Sequence, residues 1–440
     1  MRLLTRLFAL RCLGLAAALL AGCAGTPSRR QVAPPGLSGA ERDLALRSFD
    51  RVWTTVRDKH WDPSLHGLDW AAVRDTLRPR VERARTMAEA RAAMQAALAT
   101  LGQTHFAIFP SETRRSLGEA PGGEGRAGFD VRVLDGQAIV TEVEPGSAAY
   151  DLGVRQGWEL LDAGGQELRP ILATITRDFA GQTLLDHLAV SAVHARLHGP
   201  PGRVVDVRFR DGQERVVAVS LPLKAPPGTR AVLGSLPPFY ARLESRRLED
   251  GVGYIYCSGF FDPNGVMGGF GAAMTEFMSA PGVIIDLRGN PGGIGVMATG
   301  MSGWLVEAQG LVLGRMITRD SELKFAVSPR PVTYGGKVAI LIDGLSASTA
   351  EIMAAGLRDL GRARLFGTRT AGAALPSYIE ELPNGDGFQY AVADYVSQGG
   401  RQLEGRGAEP DVLAPHTRAD LLAGRDNALA AALAWILGAD

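Results

Sequence analysis

Lysine is nearly missing from this chain: Lys59, Lys224, Lys324 and Lys337 are the only four, and none follows residue 337. No lysine base can come from the last hundred residues. Cysteine is scarce as well. Cys12 and Cys23 lie in the first 23 residues, which leaves Cys257 alone and makes an intrachain disulfide unexpected. Net charge is absent, with Lys plus Arg and Asp plus Glu at 47 each, so nothing electrostatic points to a nucleic-acid partner. What remains is an ordinary globular balance, 46% hydrophobic and 21% charged over 440 residues, enough for two or three domains with their own cores.

The start of the chain reads as an export signal. Arg2, Arg6 and Arg11 precede an apolar run at residues 12–21 that is short for a membrane span. Leu20-Ala21-Gly22-Cys23 resembles the lipobox of bacterial lipoproteins, which implies acylation of Cys23 and a signal peptide over residues 1–23. Residues 24–37, rich in Pro, Ser, Gly and Arg, read as a tether. From there to residue 113 the apolar spacing predicts three helices, around 44–56, 70–81 and 87–101, packed as a bundle. Gly102 breaks the last helix, and Gln103-Thr104-His105-Phe106 opens a short extended run.

The pattern turns to strands between residues 122 and 222. Phe129-Asp130-Val131-Arg132-Val133 alternates, and further strands are expected at 138–143, 204–209 and 216–221. Gly128-Phe129 followed by "VEPGSAAYDLGVRQGWELLDAGG" resembles a PDZ domain. That resemblance implies capture of an extended peptide by strand addition beside Gly128 and Phe129. Residues 167–201, with His187, His194 and His198, exceed a minimal PDZ. Lacking nearby cysteines or paired carboxylates, they are read as a solvated helical insertion, with no metal. Paired prolines at 226–227 and 237–238 mark a linker over 223–250.

Strands and helices then alternate, which predicts an α/β layer of parallel strands over residues 251–440: strands at 252–256 and 283–287, helices at 266–278 and 295–306, and a final amphipathic helix at 418–437. Within it, residues 338–342 form an apolar β-branched run, Asp343-Gly344 ends it, and from Thr349 the apolar spacing becomes helical. Ser348 therefore sits at a helix N-terminus, where free N–H groups and the dipole favour negative charge. Two readings stand at this point. Ser346 or Ser348 is a cap, with Glu351 completing a capping box, or Ser348 is a nucleophile. Residues 283–293, "VIIDLRGNPGG", end a strand in a glycine turn able to bring bare N–H groups to a carbonyl. Neither nucleotide-binding glycine pattern is present.

"IDLRGNPGG", "LIDGLSASTAEIMAAGLRDLGRARLFGTRTAG" and "GRQLEGRGAEPDV" resemble, in that order, the carboxyl-terminal processing peptidases and the tricorn core protease. The resemblance implies a crotonase/ClpP-like catalytic layer and a serine peptidase. Its processing branch takes a lysine 25 residues after the serine; here that position is Ala373. Its tricorn-like branch implies Ser348 as nucleophile, His105 as general base, and Glu404 as orienter, directly or through the Thr104 hydroxyl, with oxyanion donors at Gly293 and Thr349. Glu380, Glu381 and Asp411 are rivals for Glu404, and His105 could instead be a core histidine.

The expectation is thus a membrane-tethered serine endopeptidase acting through an acyl-enzyme, without cofactor. Its substrate is a peptide or protein with an extended or free C-terminal segment, and it sits on an outer membrane facing the periplasm. The alternative is an inactive lipoprotein that binds a peptide or apolar ligand on the same scaffold.

Overall fold

The computed structural model describes residues 36–112, 124–232 and 238–438. The export signal, the lipobox with Cys23 and nearly all of the tether lie outside these residues.

Helices α1 (Gly39–Lys59), α2 (Trp70–Glu82) and α3 (Met87–Ala99) start at side-chain caps on Ser38, Asp69 and Thr86. The indole N–H of Trp53 donates to the Trp70 carbonyl and that of Trp70 to the Trp53 carbonyl, both at 2.9 Å, which locks α1 to α2. The bundle does not complete its core alone. Strand β1 (Ala107–Phe109) pairs with a strand at residues 387–391, and Phe388 and Tyr390 from there pack among Phe49, Val52 and Met94. The loop between α3 and β1 is thereby stitched to the C-terminal half.

A second, antiparallel sheet runs in the order β2 (Phe129–Leu134), β3 (Gln137–Val143), β4 (Glu159–Ala163), β5 (Val204–Arg210), β6 (Val216–Pro222), with β2 at one edge. Helices α4 (Leu168–Asp178) and α5 (Leu185–Leu197) cover it. They are not a solvated insertion: Leu168, Leu172, Ile175, Val190, Val193 and Leu197 are buried in this sheet's core. An apolar stripe on each helix against the sheet is the physical reason.

The third layer is a six-stranded sheet in the order β7 (Leu243–Arg247), β8 (Gly253–Cys257), β9 (Gly282–Asp286), β12 (Lys337–Ile342), β13 (Arg364–Gly367), β17 (Val412–Leu413). All neighbours from β8 onward are parallel. Helices α6 (Pro263–Glu276), α7 (Gly295–Ser302) and α8 (Thr349–Asp359) cover one face and α10 (Asn427–Leu437) the other. That is why residues 338–342 read as an unbroken apolar run: all five are wholly buried.

Several expectations need correction. Residues 243–247, inside the expected linker, are the antiparallel edge strand β7. The expected helix at 295–306 stops at Ser302, where Gly303 takes over as cap. The tail is two helices, α9 (Arg418–Leu422) and α10, because Gly424 turns left-handed with φ 69° between them. Antiparallel pairs β10 (Val312–Thr318) with β11 (Glu322–Ala326) and with β16 (Ala393–Ser397), and β14 (Ser377–Glu381) with β15 (Gly387–Ala391), have no counterpart in the sequence reading.

Candidate active site

Parallel α/β sheets present their sites at the carboxyl ends of the strands. Here the turns after β9 and β12 meet there. Asp343 joins them: its Oδ1 accepts from the N–H groups of Gly289, Leu345 and Ser346 at 2.9, 3.0 and 3.1 Å, and its Oδ2 from the Arg132 guanidinium at 2.7 Å. Burial alone would raise the Asp343 carboxyl, yet Arg132 and the Gly289 N–H hold it below the usual range. Asn290, wholly buried, is the second tie. Its side chain donates to the Cys257 carbonyl and accepts from Gly292 N–H, both at 2.8 Å, and its own carbonyl accepts from Ala347 N–H at 2.9 Å.

Ser348 stands at the start of α8 with φ 54° and ψ −118°, a backbone that residues other than glycine rarely adopt. A serine on a sharp, strained strand-to-helix turn is the geometry that lifts a nucleophilic hydroxyl clear of the sheet. The capping-box reading survives in part, since the Glu351 carboxylate accepts from Ser348 N–H at 3.0 Å. Glu351 does far more than cap. It also accepts from the Thr370 hydroxyl at 2.5 Å and from the N–H groups of Gly372 and Ala373 at 2.9 Å each. Burial pushes its carboxyl up to about 7 against these four donors. Sequence reasoning saw in Glu351 only a cap. Its partners lie 19 to 22 residues downstream, beyond any helical period.

Gly292 backs directly onto this turn. A Cβ there would lie 2.7 Å from Ser348 Cβ and 2.8 Å from the Thr349 nitrogen, and φ is 95°, so only glycine fits. Gly293 follows with φ 132°, its carbonyl accepting from the Thr349 hydroxyl at 2.7 Å. Among the described residues neither the Gly293 nor the Thr349 N–H is used in a hydrogen bond of the fold.

His105, in the α3–β1 loop, also has a left-handed backbone, φ 61°. The proton order around it can be worked out. Glu404 accepts from Thr104 N–H at 2.7 Å and from the Thr104 hydroxyl at 3.0 Å. Having given its one proton to Glu404, that hydroxyl can only accept from His105 Nδ1, 2.8 Å away. His105 is therefore protonated on Nδ1 and carries its lone pair on Nε2. Burial, with His187 nearby adding to it, lowers the imidazole to about 4; burial raises the Glu404 carboxyl, opposed by the Thr104 donors.

The two halves converge on one turn. Ser348 N–H donates to the Ala373 carbonyl at 2.8 Å, and Ala374 N–H donates to Glu404 at 3.2 Å. The position where the processing branch carries lysine is thus beside Ser348, but it holds a methyl group. Two of the rivals are engaged elsewhere: Glu380 pairs with Arg51 and Asp411 with Arg358. His187, read as part of a solvated insertion, is instead directed at the turn before Ser348, its Nε2 3.2 Å from the Leu345 carbonyl. Gly128 has φ 78° and its carbonyl accepts from the Ser147 hydroxyl at 3.1 Å, while the Phe129 ring is buried edge-on against Phe209. Among the described residues no cluster of His, Cys, Asp or Glu could hold a metal.

Residues 251–414 match the family model described as peptidase family S41, and residues 46–99 that of the tricorn protease C1 domain. The chain is 26% identical over 407 residues to tricorn protease homolog 2 of Streptomyces coelicolor, covering 86% of this chain but 31% of that protein, so it spans about a third of that relative's length. It is 25% identical over 389 residues to the carboxyl-terminal-processing protease of Picosynechococcus, covering 85% and 83%. Solved structures of similar fold include the photosystem II D1 C-terminal processing protease, with TM-score 0.57 and 20% identity over 86% of this chain and 94% of that one. Mature CPAF complexed with lactacystin has TM-score 0.62 and 16% identity over 91% and 100%.

Proposed function

The chain belongs to the superfamily of the carboxyl-terminal processing peptidases and the tricorn core protease, with a peptidase family S41 segment, and on that footing we propose that it is a serine endopeptidase working through Ser348, His105 and Glu404. Ser348 Oγ attacks the scissile carbonyl, and His105 Nε2 takes its proton and returns it to the leaving amine. Glu404, acting through the Thr104 hydroxyl, fixes the tautomer and offsets the imidazolium charge. The Gly293 and Thr349 N–H groups receive the oxyanion. Water then releases the acyl group by the same route, without metal or cofactor.

The observation that carries this reading is the one-way hydrogen-bond chain Glu404–Thr104–His105, anchored beside Ser348 by residues 373–374. A pure binding lipoprotein needs no such proton order, and similarity to processing proteases does not favour that alternative. The sheet of β2 to β6 is read as PDZ-like, taking an extended or C-terminal peptide along the free edge of β2. Tethering through a lipid on Cys23, on an outer membrane facing the periplasm, completes the proposal. Labelling of the full chain in detergent with a fluorophosphonate tests the chemistry. An adduct on Ser348 that disappears in His105→Ala is expected. An adduct of equal rate in His105→Ala would overturn the triad.

A further inference from the structure

The start of α5 lies against both turns beside Ser348, through four residues that the proposed reaction does not use. A Cβ on Gly372 would lie 2.6 Å from the Thr183 hydroxyl oxygen, and one on Gly344 would run into the Asp186 carboxylate. Leu184 packs on the small buried cluster of Ala347, Ala371 and Ala373. His187 Nε2 stands 3.2 Å from the Leu345 carbonyl. A carbonyl only accepts, so the imidazole carries a proton on Nε2 and donates it there.

These contacts converge on the proposed nucleophile. The peptide unit between Leu345 and Ser346 is gripped at both ends: its carbonyl accepts from His187, and its N–H donates to Asp343 Oδ1 at 3.1 Å. The Leu345 side chain goes the same way, buried in the core of the β2–β6 sheet and its helices and not in that of the six-stranded layer. The alanine cluster under Leu184 holds both backbone neighbours of Ser348. Ala347 precedes it, and the Ala373 carbonyl accepts its N–H at 2.8 Å. The His187 imidazole also stands close enough to His105 to add to the lowering of its pKa.

We infer that His187 is a positioning residue for Ser348, an inference that rests on the reading of Ser348 as nucleophile. Its Nε2–H fixes the Leu345–Ser346 peptide unit, and with it the direction in which the Ser348 hydroxyl leaves the turn. Thr183, Leu184 and Asp186 hold the helix start against the same two turns, so the donor cannot drift away. A backbone such as that of Ser348, with φ 54°, persists only where its neighbours over-determine it. Here part of that constraint comes from a layer docked on the α/β sheet, so its loss should cost rate and not stability.

The test is fluorophosphonate labelling of Ser348 on the full chain in detergent, split into inactivation rate and apparent affinity, with a melting curve for each variant. His187→Gln and His187→Met introduce side chains of nearly equal length and shape, but only glutamine keeps an N–H where Nε2 stands. His187→Met should lose on the order of tenfold to a hundredfold in inactivation rate, the scale of a misplaced reacting group, with apparent affinity and melting transition little changed. His187→Gln should recover most of that rate. Hydrogen exchange over residues 343–348 should quicken in His187→Met and not in His187→Gln. Full rate in His187→Met, equal losses in the two variants, or a collapsed melting transition in either one overturns the inference. If the unaltered chain takes no label on Ser348, the nucleophile reading fails first and takes the inference with it. Labelling of the unaltered chain with full rate in His187→Met confines the failure to His187.

Discussion

The proposed nucleophile and its proposed base are held by opposite means. Ser348 sits between two turns at the end of a parallel strand whose last five residues are wholly buried, where Asp343, Asn290 and Glu351 together accept or donate some ten hydrogen bonds within the same layer. His105 sits on a loop between a helical bundle and a three-residue strand, held by Thr104 to Glu404 on one side and Gln103 to two histidines on the other. One half is part of the core; the other is docked onto it. Damage to the first should therefore appear as lost stability, and damage to the second as lost chemistry in a protein that still folds.

The largest effect bearing on this contrast is at Ser348 itself. Ser348→Ala should abolish fluorophosphonate labelling while costing about 1 kcal/mol of stability, since only a hydroxyl near a helix cap is lost. Labelling shows the first and a melting curve the second. A collapsed transition would mean that the hydroxyl holds the turn. Next comes Asp343→Ala. It frees three N–H groups and strands the Arg132 charge beneath the β2–β3 sheet, so a loss of about 3–5 kcal/mol is expected in denaturant titration. If Asp343→Ala keeps its stability and loses only activity, the nucleophile turn is docked like the base, and the contrast fails.

Thr104→Val tests the other half. It keeps the volume and removes the hydroxyl through which Glu404 reaches His105, so the Nδ1 tautomer is no longer enforced. Labelling should fall on the order of a hundredfold, about 2.7 kcal/mol of barrier. Stability should drop by about 2 kcal/mol, the worth of the two hydrogen bonds the hydroxyl makes. A variant that loses several kcal/mol instead would place this loop in the core with Ser348.

The same division explains what could be read from the chain alone. Ser348 was legible because burial and a strand-to-helix change both leave local periodicity, in residues 338–342 and from Thr349 onward. His105 and Glu404 were reachable only through a family resemblance: Thr104 and Glu404 are 300 residues apart, and no local pattern records that they touch. The β14–β15 pair does leave a signal, Asn384-Gly385-Asp386-Gly387 between two runs, but the runs mix charge with aromatics, which blurs the strand alternation. The α4 and α5 helices carry a stripe of buried residues that three histidines in the same stretch mask in the sequence, and one of them, His187, faces the turn before Ser348.

The smallest effect expected is one of pH, and it sets the two halves against each other. His105 is held at about 4 by burial, so the unfolded chain takes up its proton first as pH falls below the free value near 6.5. Between pH 6.5 and 4 this group makes the fold less stable in acid. Glu351, raised to about 7, has the opposite sign: the folded chain binds its proton first, and stability from this group falls as pH rises from about 4.5 toward 7. The two slopes oppose each other over the shared window. The contributions of these two groups should therefore largely cancel there, while labelling through His105 should persist until pH approaches about 4. Denaturant titrations and labelling rates on the same pH series would show it. A labelling limb that tracks the stability curve would mean that acid acts by unfolding the nucleophile's core, not by protonating the docked base.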